Sequence, residues 1–449
     1  MKVARSIMAG WGNHPVVDAR RVEPSRPPGD VALLSGDIPL IPRGKGRSYG
    51  DASLPAPYGT AIDTRWLNKF VGFDSERGIV SAESGTSLEQ LLDVIVPRGW
   101  FLPVSPGTRL ISLGGALASN IHGKNHHRRG GIVDFVESLT ALTENGPVEC
   151  SRHQESELFR ATVGGYGMTG VITQATLRLM RIETSLIEHR LIKVPDLATA
   201  MSVCEENDER YEYSVTWLDN LAGGNALGRG MVMLGNHARL DALPASRRGR
   251  ALDLSWKRQL SAPRRFPGQL LNNVSNRLFN WAYGNKFLGR ETTGLSTFES
   301  WFYPLDGIAN WNRFYGAGGF VEYQCAIPLE SAAAGLRAVL KRVHDRGLGS
   351  FLAVYKRIGR DNVTLPFAMP GYTLCLDFAA GRPGLYETLD ELDEIVIEHG
   401  GRVYLSKDSR LKPAVFRRMY PEYPEWRAVV DRYAPGCRFQ SRLSQRLEL

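Results

Sequence analysis

Cysteine is scarce in this chain and badly placed for pairing. The five thiols, Cys150, Cys204, Cys325, Cys375 and Cys437, are scattered, odd in number and form no C-x-x-C. That argues against a disulfide framework and fits reduced thiols in a cytosolic protein. No Cys/His run has zinc spacing, and His126 and His127 are adjacent, a poor arrangement for two ligands of one metal. No metal site is expected. Long apolar runs are missing too: none approaches the ~18–20 residues that cross a bilayer. The stretch from Met1 to His14 holds no extended apolar segment of the secretory type. Repeats at solenoid periods are absent. So is any Walker or Rossmann fingerprint in its strand and helix context, which disfavours Rossmann binding of NAD. What remains is 449 residues with 43% hydrophobic and 23% charged composition, room for two or three domains with substantial cores.

Glycine, by contrast, is concentrated. Three Gly-rich turns fall in the first third of the chain: Arg43 to Asp51, Ser112 to Asn120, and Val163 to Gly170. Between the motif Pro103 to Arg109 and the run His122-Gly123-Lys124-Asn125-His126-His127, small residues stand where a core would take bulk. Glycine lets backbone approach a phosphate or a ring closely, and its N–H groups can donate to anionic oxygens. Any one such turn is ordinary. Their order, with Arg43, Lys45 and Arg47 on the first, points to one large dinucleotide wrapped by several loops.

Periodicity sets the fold class. Thr60 to Asp63 and Gly78 to Ala82 read as strands, Ser87 to Ile95 as a capped amphipathic helix, and Val171 to Leu179 as a strand with period-two alternation. From about residue 185, strand-like segments (Tyr211 to Trp217, Gly319 to Ile327) alternate with helical ones (Ala332 to Val343, Leu385 to Val396). This predicts an α+β protein with an antiparallel sheet and helices on one of its faces.

The net charge of +8 is partly local. Arg247, Arg248, Arg250, Lys257, Arg258, Arg264 and Arg265 are interrupted by Leu252, Leu254, Trp256 and Leu260. The segment from 246 to 266 reads either as a solvated loop or as a basic amphipathic insert meeting anionic lipid or a lipid phosphate. No nucleic-acid motif accompanies the charge, so no nucleic-acid partner is expected.

The joint pattern of Arg43 to Asp51, Pro106 to Arg109, Gly114-Gly115, His122 to His127 and Leu405-Ser406-Lys407-Asp408-Ser409-Arg410 resembles the decaprenylphosphoryl-β-D-ribose 2′-oxidase family. These are flavoenzymes of the vanillyl-alcohol-oxidase superfamily, the oxidising half of an epimerase pair that makes the arabinose donor of mycobacterial cell walls. The likeness runs from Gly10-Trp11-Gly12 to Arg446-Leu447-Glu448-Leu449 and is weakest in the basic insert. It implies a two-domain p-cresol-methylhydroxylase-type fold: 1–184 binding FAD, 185–401 capping the substrate side, and 402–449 returning to the FAD unit. It further implies a cytoplasmic enzyme, able to sit peripherally at the inner face of the plasma membrane and served by a separate NAD(P)H-dependent keto-reductase.

Residue by residue, the resemblance assigns Pro42, Arg43, Gly44, Lys45, Gly46, Arg47, Ser48, Tyr49, Gly50, Asp51 and Ala52 to the FAD diphosphate. Gly107, Ser112, Leu113, Gly114, Gly115, Ser119, Asn120, Ile121 and His122 continue around the cofactor, with Ile172 at the adenine side and Tyr404 reaching back from the C-terminal segment. The first loop offers no His or Cys to tether the flavin, and His122 matches a residue that forms no such bond, so FAD is expected to be non-covalent. Trp217, Tyr303, Gln324, Lys356, Cys375 and Lys407 match positions lining the cavity before the flavin ring, and Lys124 and Glu322 are further candidates for the substrate side. Lys407, and after it Tyr303 or Lys124, is the candidate for handling the hydroxyl proton; Cys375 lines the site without acting as nucleophile. On their own these residues read more simply, Lys407 as a solvated loop lysine and Trp217 and Cys375 as core. Two departures stand out. A family asparagine is Thr373 here, and a family glutamine is Glu322, a carboxylate that disfavours an anionic group unless Lys356 neutralises it. A related sugar or aldonolactone oxidase is the alternative enzyme, although its usual His-Trp-x-Lys ending is lacking. A non-catalytic flavin-fold partner subunit would need degraded loops, and these look intact.

Overall fold

Three sheets carry the chain, and the way they face one another builds the site. The computed structural model describes residues 2–24, 36–254, 256, 259–263 and 266–449. Strands Lys2–Ala9, Val16–Glu23, Thr60–Asp63 and Leu40–Arg43 form a four-stranded sheet in that order. A five-stranded sheet follows, ordered Phe70–Asp74, Ile79–Glu83, Val171–Arg178, Val136–Thr143, Gly146–Cys150. The helix expected after Ser87 is Leu88–Ile95. The Ser87 hydroxyl accepts from the Gln90 N–H while the Gln90 side chain accepts from the Ser87 N–H, and Leu88, Leu91, Leu92 and Ile95 are buried. Such a cap is worth about 1 kcal/mol, and the apolar stripe does the rest.

The second half is an eight-stranded sheet with antiparallel pairing throughout: Glu291–Thr297, Leu186–Val194, Gly230–His237, Tyr213–Leu218, Ala353–Ile358, Gly371–Ala379, Phe320–Pro328, Arg402–Val403. Helices Leu197–Asn207, Leu329–Asp345 and Leu385–Glu398 pack on one face. Strand side chains alternate between faces. Thr216, Tyr355, Tyr372 and Tyr323 therefore meet the helices, with the Tyr372 hydroxyl on Glu205 and that of Tyr323 on Asp393. Trp217, Lys356, Thr373, Cys375, Asp377, Glu322 and Gln324 are left on the opposite face. The predicted α+β class and helix-covered antiparallel sheet are what the chain adopts.

After Arg402–Val403 the chain crosses back to the first unit. Gln440 N donates to Leu40 O at 2.8 Å, Arg442 N to Leu54 O at 2.8 Å, and the Trp426 indole to Ala161 O at 3.0 Å. Arg446 lies between Asp51 and Asp408, 2.9 Å from each.

The basic insert is not a free loop where it is described. Leu252, Leu254 and Trp256 pack against the first unit's core, the Trp256 indole donates to Asp93 at 2.6 Å, and Leu260–Ser261 pairs with Ile308–Ala309. Lys257, Arg258, Arg264 and Arg265 lie outside the described residues. No helix among the described residues is long and apolar enough to cross a membrane.

Removing Arg446 would strand two carboxylates that are 4% and 2% exposed. Arg446→Ala is therefore expected to destabilise the fold by about 3–5 kcal/mol, read as a lower urea midpoint. An unchanged midpoint would show that the return segment is held by its apolar contacts alone.

Candidate active site

The loop from Pro42 to Ala52 leaves the end of strand Leu40–Arg43 and is shaped by close approaches. A Cβ on Gly44 would fall 2.1 Å from the Ser112 hydroxyl, and one on Gly50 would fall 1.8 Å from the Asp408 carbonyl. Only glycine fits between the first loop, the second loop and the return segment. Arg43 anchors the base rather than the interior, donating to Ala9 O at 2.6 Å and Ser53 Oγ at 3.0 Å; burial lowers its pKa to about 10. Arg47 stacks on the Trp11 ring at 3.9 Å, Lys45 is exposed, and Ser48 O accepts from Trp11 N at 2.7 Å. Among the described residues, no protein group accepts from the backbone N–H groups of Lys45 through Tyr49. A run of unpaired N–H donors on a glycine turn is the chemistry that holds a diphosphate.

The second loop continues the wall. Ser112 caps the turn Leu113–Ala118, which carries Gly114 and Gly115, and leads through Ser119, Asn120 and Ile121 to His122. The Asn120 Oδ1 accepts from Val133 N at 3.2 Å, while its buried Nδ2 has no partner among the described residues. Tyr404 does reach back, its hydroxyl donating to Ser119 O at 2.6 Å, and its ring lies 5.2 Å from that of His122. Gln324 Nε2 donates to His122 Nε2 at 2.8 Å, leaving the imidazole proton on Nδ1. Burial, with Lys356, His126 and Lys407 adding to the effect, holds His122 well below its ordinary pKa, so it is a neutral group. Ile172 is buried in strand Val171–Arg178, and Gly107 lies in the connection between Phe101 and Ser112 with nothing close to its α-carbon side.

Opposite these loops is the open face of the eight-stranded sheet. Cross-strand register sets Glu322 beside Asp377, Gln324 beside Cys375, and Thr373 beside Lys356. Lys407, on the turn after Tyr404, places its Nζ 2.8 Å from Glu322 Oε1 and 3.6 Å above the Tyr49 ring. The Cys375 thiol donates to the same Glu322 oxygen. The cation expected to neutralise Glu322 was Lys356; the structure gives that ion pair to Lys407 because the return segment delivers it directly onto the carboxylate. Among the described residues neither Lys356 nor Lys124 has a carboxylate partner. Burial pushes Lys356 down to about 8, Lys407 adding to the shift and the Cys375 thiol and Glu322 carboxylate opposing it. Burial, with Lys356 nearby, pushes Lys124 down to about 7. Lys124 Nζ donates to the Trp301 carbonyl and faces the Trp301 ring at 5.0 Å.

The structure thus draws Lys407, Glu322, Cys375 and Gln324 together, with Lys356 beside them on the same face. It does not bring Tyr303 into that group. Tyr303 is fully buried, its hydroxyl bonded to Ser105, with its ring against Phe298 and Phe302 and the ionic network of Arg109 and Asp306 alongside. Trp217 packs on Tyr283 at 4.8 Å, further along the sheet. Asp377 was not singled out in sequence, yet burial and the neighbouring Glu322 hold its carboxyl well above the usual range. Two-residue spacing from Cys375 was the available signal. The Asp51–Arg446 pair spans 395 residues and left no local trace.

Loops able to hold a diphosphate, facing a sheet that presents an amine–carboxylate pair, define an FAD-dependent oxidoreductase. Residues 33–151 match the FAD binding domain family. Over 98% of its length the chain is 35% identical to a decaprenylphosphoryl-β-D-ribose oxidase of Mycolicibacterium smegmatis, covering 97% of that protein. It is 34% identical to an uncharacterized Streptomyces coelicolor protein encoded in the mprA 5′ region, over 81% of this chain and all of the relative. A mitochondrial D-lactate dehydrogenase (cytochrome) of Arabidopsis thaliana is 29% identical over only 37% of this chain and 30% of its own. The chain belongs to the decaprenylphosphoryl-β-D-ribose oxidase family.

The thiol gives a direct probe of this cluster. Burial and then the Glu322 carboxylate push the Cys375 pKa well up, so little thiolate forms at neutral pH. Iodoacetamide is expected to alkylate the exposed Cys437 well before Cys375. Glu322→Gln should speed Cys375 labelling, by about tenfold for each ~1.4 kcal/mol of repulsion removed. Mass spectrometry of the labelled peptides reads both rates, and an unaltered Cys375 rate in the variant would mean that Glu322 does not set the thiol's environment.

Proposed function

We propose that this chain oxidises the 2′-hydroxyl of a polyprenyl-phosphoryl β-D-ribofuranose to the 2′-ketone, the first half of an epimerisation toward the arabinose donor of cell-wall arabinan. A separate NAD(P)H-dependent keto-reductase would complete that conversion. The observation that carries the reading is the contrast among three neighbouring lysines, Lys407 on the return segment, Lys356 on the sheet and Lys124 on the loop that faces it. Lys407 is paired with Glu322, whereas Lys356 and Lys124 are half-buried amines that form no salt bridge among the described residues. Two such groups suit a phosphoryl headgroup; one amine–carboxylate pair suits a hydroxyl.

Gly44 through Asp51, Ser112 through Gly115 and Ser119 through His122 would hold FAD without a covalent bond, since the first loop offers neither His nor Cys. When bound, FAD supplies the acceptor for the hydride that leaves the carbinol carbon. The hydroxyl proton is the protein's part of the reaction. Lys407 can donate to the substrate oxygen and hold it in place while negative charge builds there, and the Glu322 oxygen at 2.8 Å can receive the proton through the amine. Gln324, its amide nitrogen held by His122 and by Thr373 at 3.0 Å, would orient the sugar. Tyr303 then acts as a positioning group behind Ser105 rather than on the proton. The basic insert and the lipid chain implied for the substrate both favour peripheral contact with a membrane.

A soluble sugar or aldonolactone is the second reading, favoured by Glu322, because a carboxylate accepts well from a vicinal diol.

Lys407→Ala is expected to retain FAD while slowing flavin reduction in single turnover by roughly 10²–10⁴-fold. Lys407→Arg keeps the charge but has too high a pKa to pass a proton, so it should not rescue the rate. Near-normal reduction in Lys407→Ala, followed by stopped-flow absorbance, would remove Lys407 from the reaction.

A further inference from the structure

Helix Asn273–Gly284 is built inside out for a protein in water. Its inward side is polar: Asn276 and Asn280 are buried, Asn280 donates to Asp219 at 2.6 Å, and Asn273 donates to the Gly347 carbonyl at 2.7 Å. Its outward side is apolar, with Val274 78% exposed, Leu278 65% and Trp281 67%. Positions 274, 278 and 281 form one stripe at helical spacing, extended by the exposed Leu270 before the helix and Leu288 after it. A surface helix ordinarily shows the reverse arrangement, and a contiguous exposed apolar patch marks a contact surface.

Charge selects the occupant. From residue 254 to residue 290 the sequence contains Lys257, Arg258, Arg264, Arg265, Arg277, Lys286 and Arg290 and not a single Asp or Glu. Arg277, Lys286 and Arg290 are exposed around the apolar stripe. A second copy of the chain docking face to face would set these cations against their own kind. An anionic bilayer satisfies both features at once, taking the apolar side chains among its acyl chains and the cations at its headgroups. The helix also touches the site: Tyr283, on its last turn, packs against Trp217 on the open face of the sheet.

We propose that helix Asn273–Gly284 is an interfacial membrane-binding element, lying in the plane of an anionic bilayer beside the active-site mouth. The inference rests on the peripheral membrane contact proposed above and gives that contact a surface. It would set the cavity over lipid, where a substrate with a polyprenyl chain resides.

The test uses the FAD-loaded full-length protein and sedimentation with vesicles of phosphatidylglycerol and phosphatidylcholine that contain no sugar lipid. Wild type is expected to sediment with them and to be only partly released by high salt. The triple variant Val274→Ser, Leu278→Ser, Trp281→Ser should lose at least about tenfold in partition at every salt concentration, with its flavin absorbance unchanged. A second variant, Arg277→Gln, Lys286→Gln, Arg290→Gln, should lose affinity at low salt and match wild type at high salt. Wild type that ignores the vesicles, or an apolar triple variant that binds as well as wild type, would overturn the proposal. So would a wild-type dimer that the triple variant converts to monomer in sedimentation velocity. Because the vesicles carry no substrate, an error in the substrate assignment leaves these outcomes untouched.

Discussion

Everything at the site depends on Arg446 standing between Asp51 and Asp408. Its guanidinium joins the first glycine loop to the segment that returns from the substrate-side sheet, and both carboxylates are almost wholly buried. Asp408 directly follows Lys407, so the same contact that closes the loop also fixes the backbone of Lys407, the proposed proton-handling residue. Tyr49, on the loop, then lies beneath the Lys407 amine. The first glycine loop and Lys407, more than 350 positions apart in sequence, are thereby set by one ionic clamp.

From that clamp the electrostatics of the cavity follow. Glu322 takes Lys407 as its partner, which removes the repulsion a lone carboxylate would exert on an anionic substrate and leaves Lys356 and Lys124 as the cations of the site. Both are half-buried and both have lowered pKa values, so a bound anion would restore the charge that desolvation opposes. The neutral His122 and the doubly bonded Gln324 supply fixed dipoles between the two walls. Electrostatic groups already held in place are the part of catalysis a protein scaffold provides most effectively.

How much of this was legible in the sequence depended on the range of the interaction. Local signals were read correctly: the Ser87 capping box, the alternation of Val171 to Leu177, and the helical spacing within Leu329–Asp345. The glycine turns also announced themselves, because close approach demands that residue wherever it occurs. Pairings between distant strands were not legible. Nothing near Glu322 indicates that Lys407 rather than Lys356 will reach it, and nothing near Tyr303 indicates that its hydroxyl will bond to Ser105. The basic insert was read by its charges, whereas its placement is governed by Trp256 on Asp93. The inverted helix Asn273–Gly284 was overlooked for the opposite reason: its pattern is plain, but only burial reveals which face is outward.

The most direct measurement is anaerobic flavin bleaching. Purified FAD-loaded protein would be mixed with a short-chain polyprenyl-phosphoryl ribose in detergent, and in parallel with ribose, ribose 5-phosphate and an aldonolactone. Rapid loss of the oxidised flavin absorbance with the lipid-linked sugar, and its persistence with the soluble ones, is the result expected of a site where Lys407 is paired with Glu322 while Lys356 and Lys124 form no salt bridge among the described residues. Bleaching by a soluble sugar or lactone while the lipid-linked ribose leaves the flavin oxidised would contradict it.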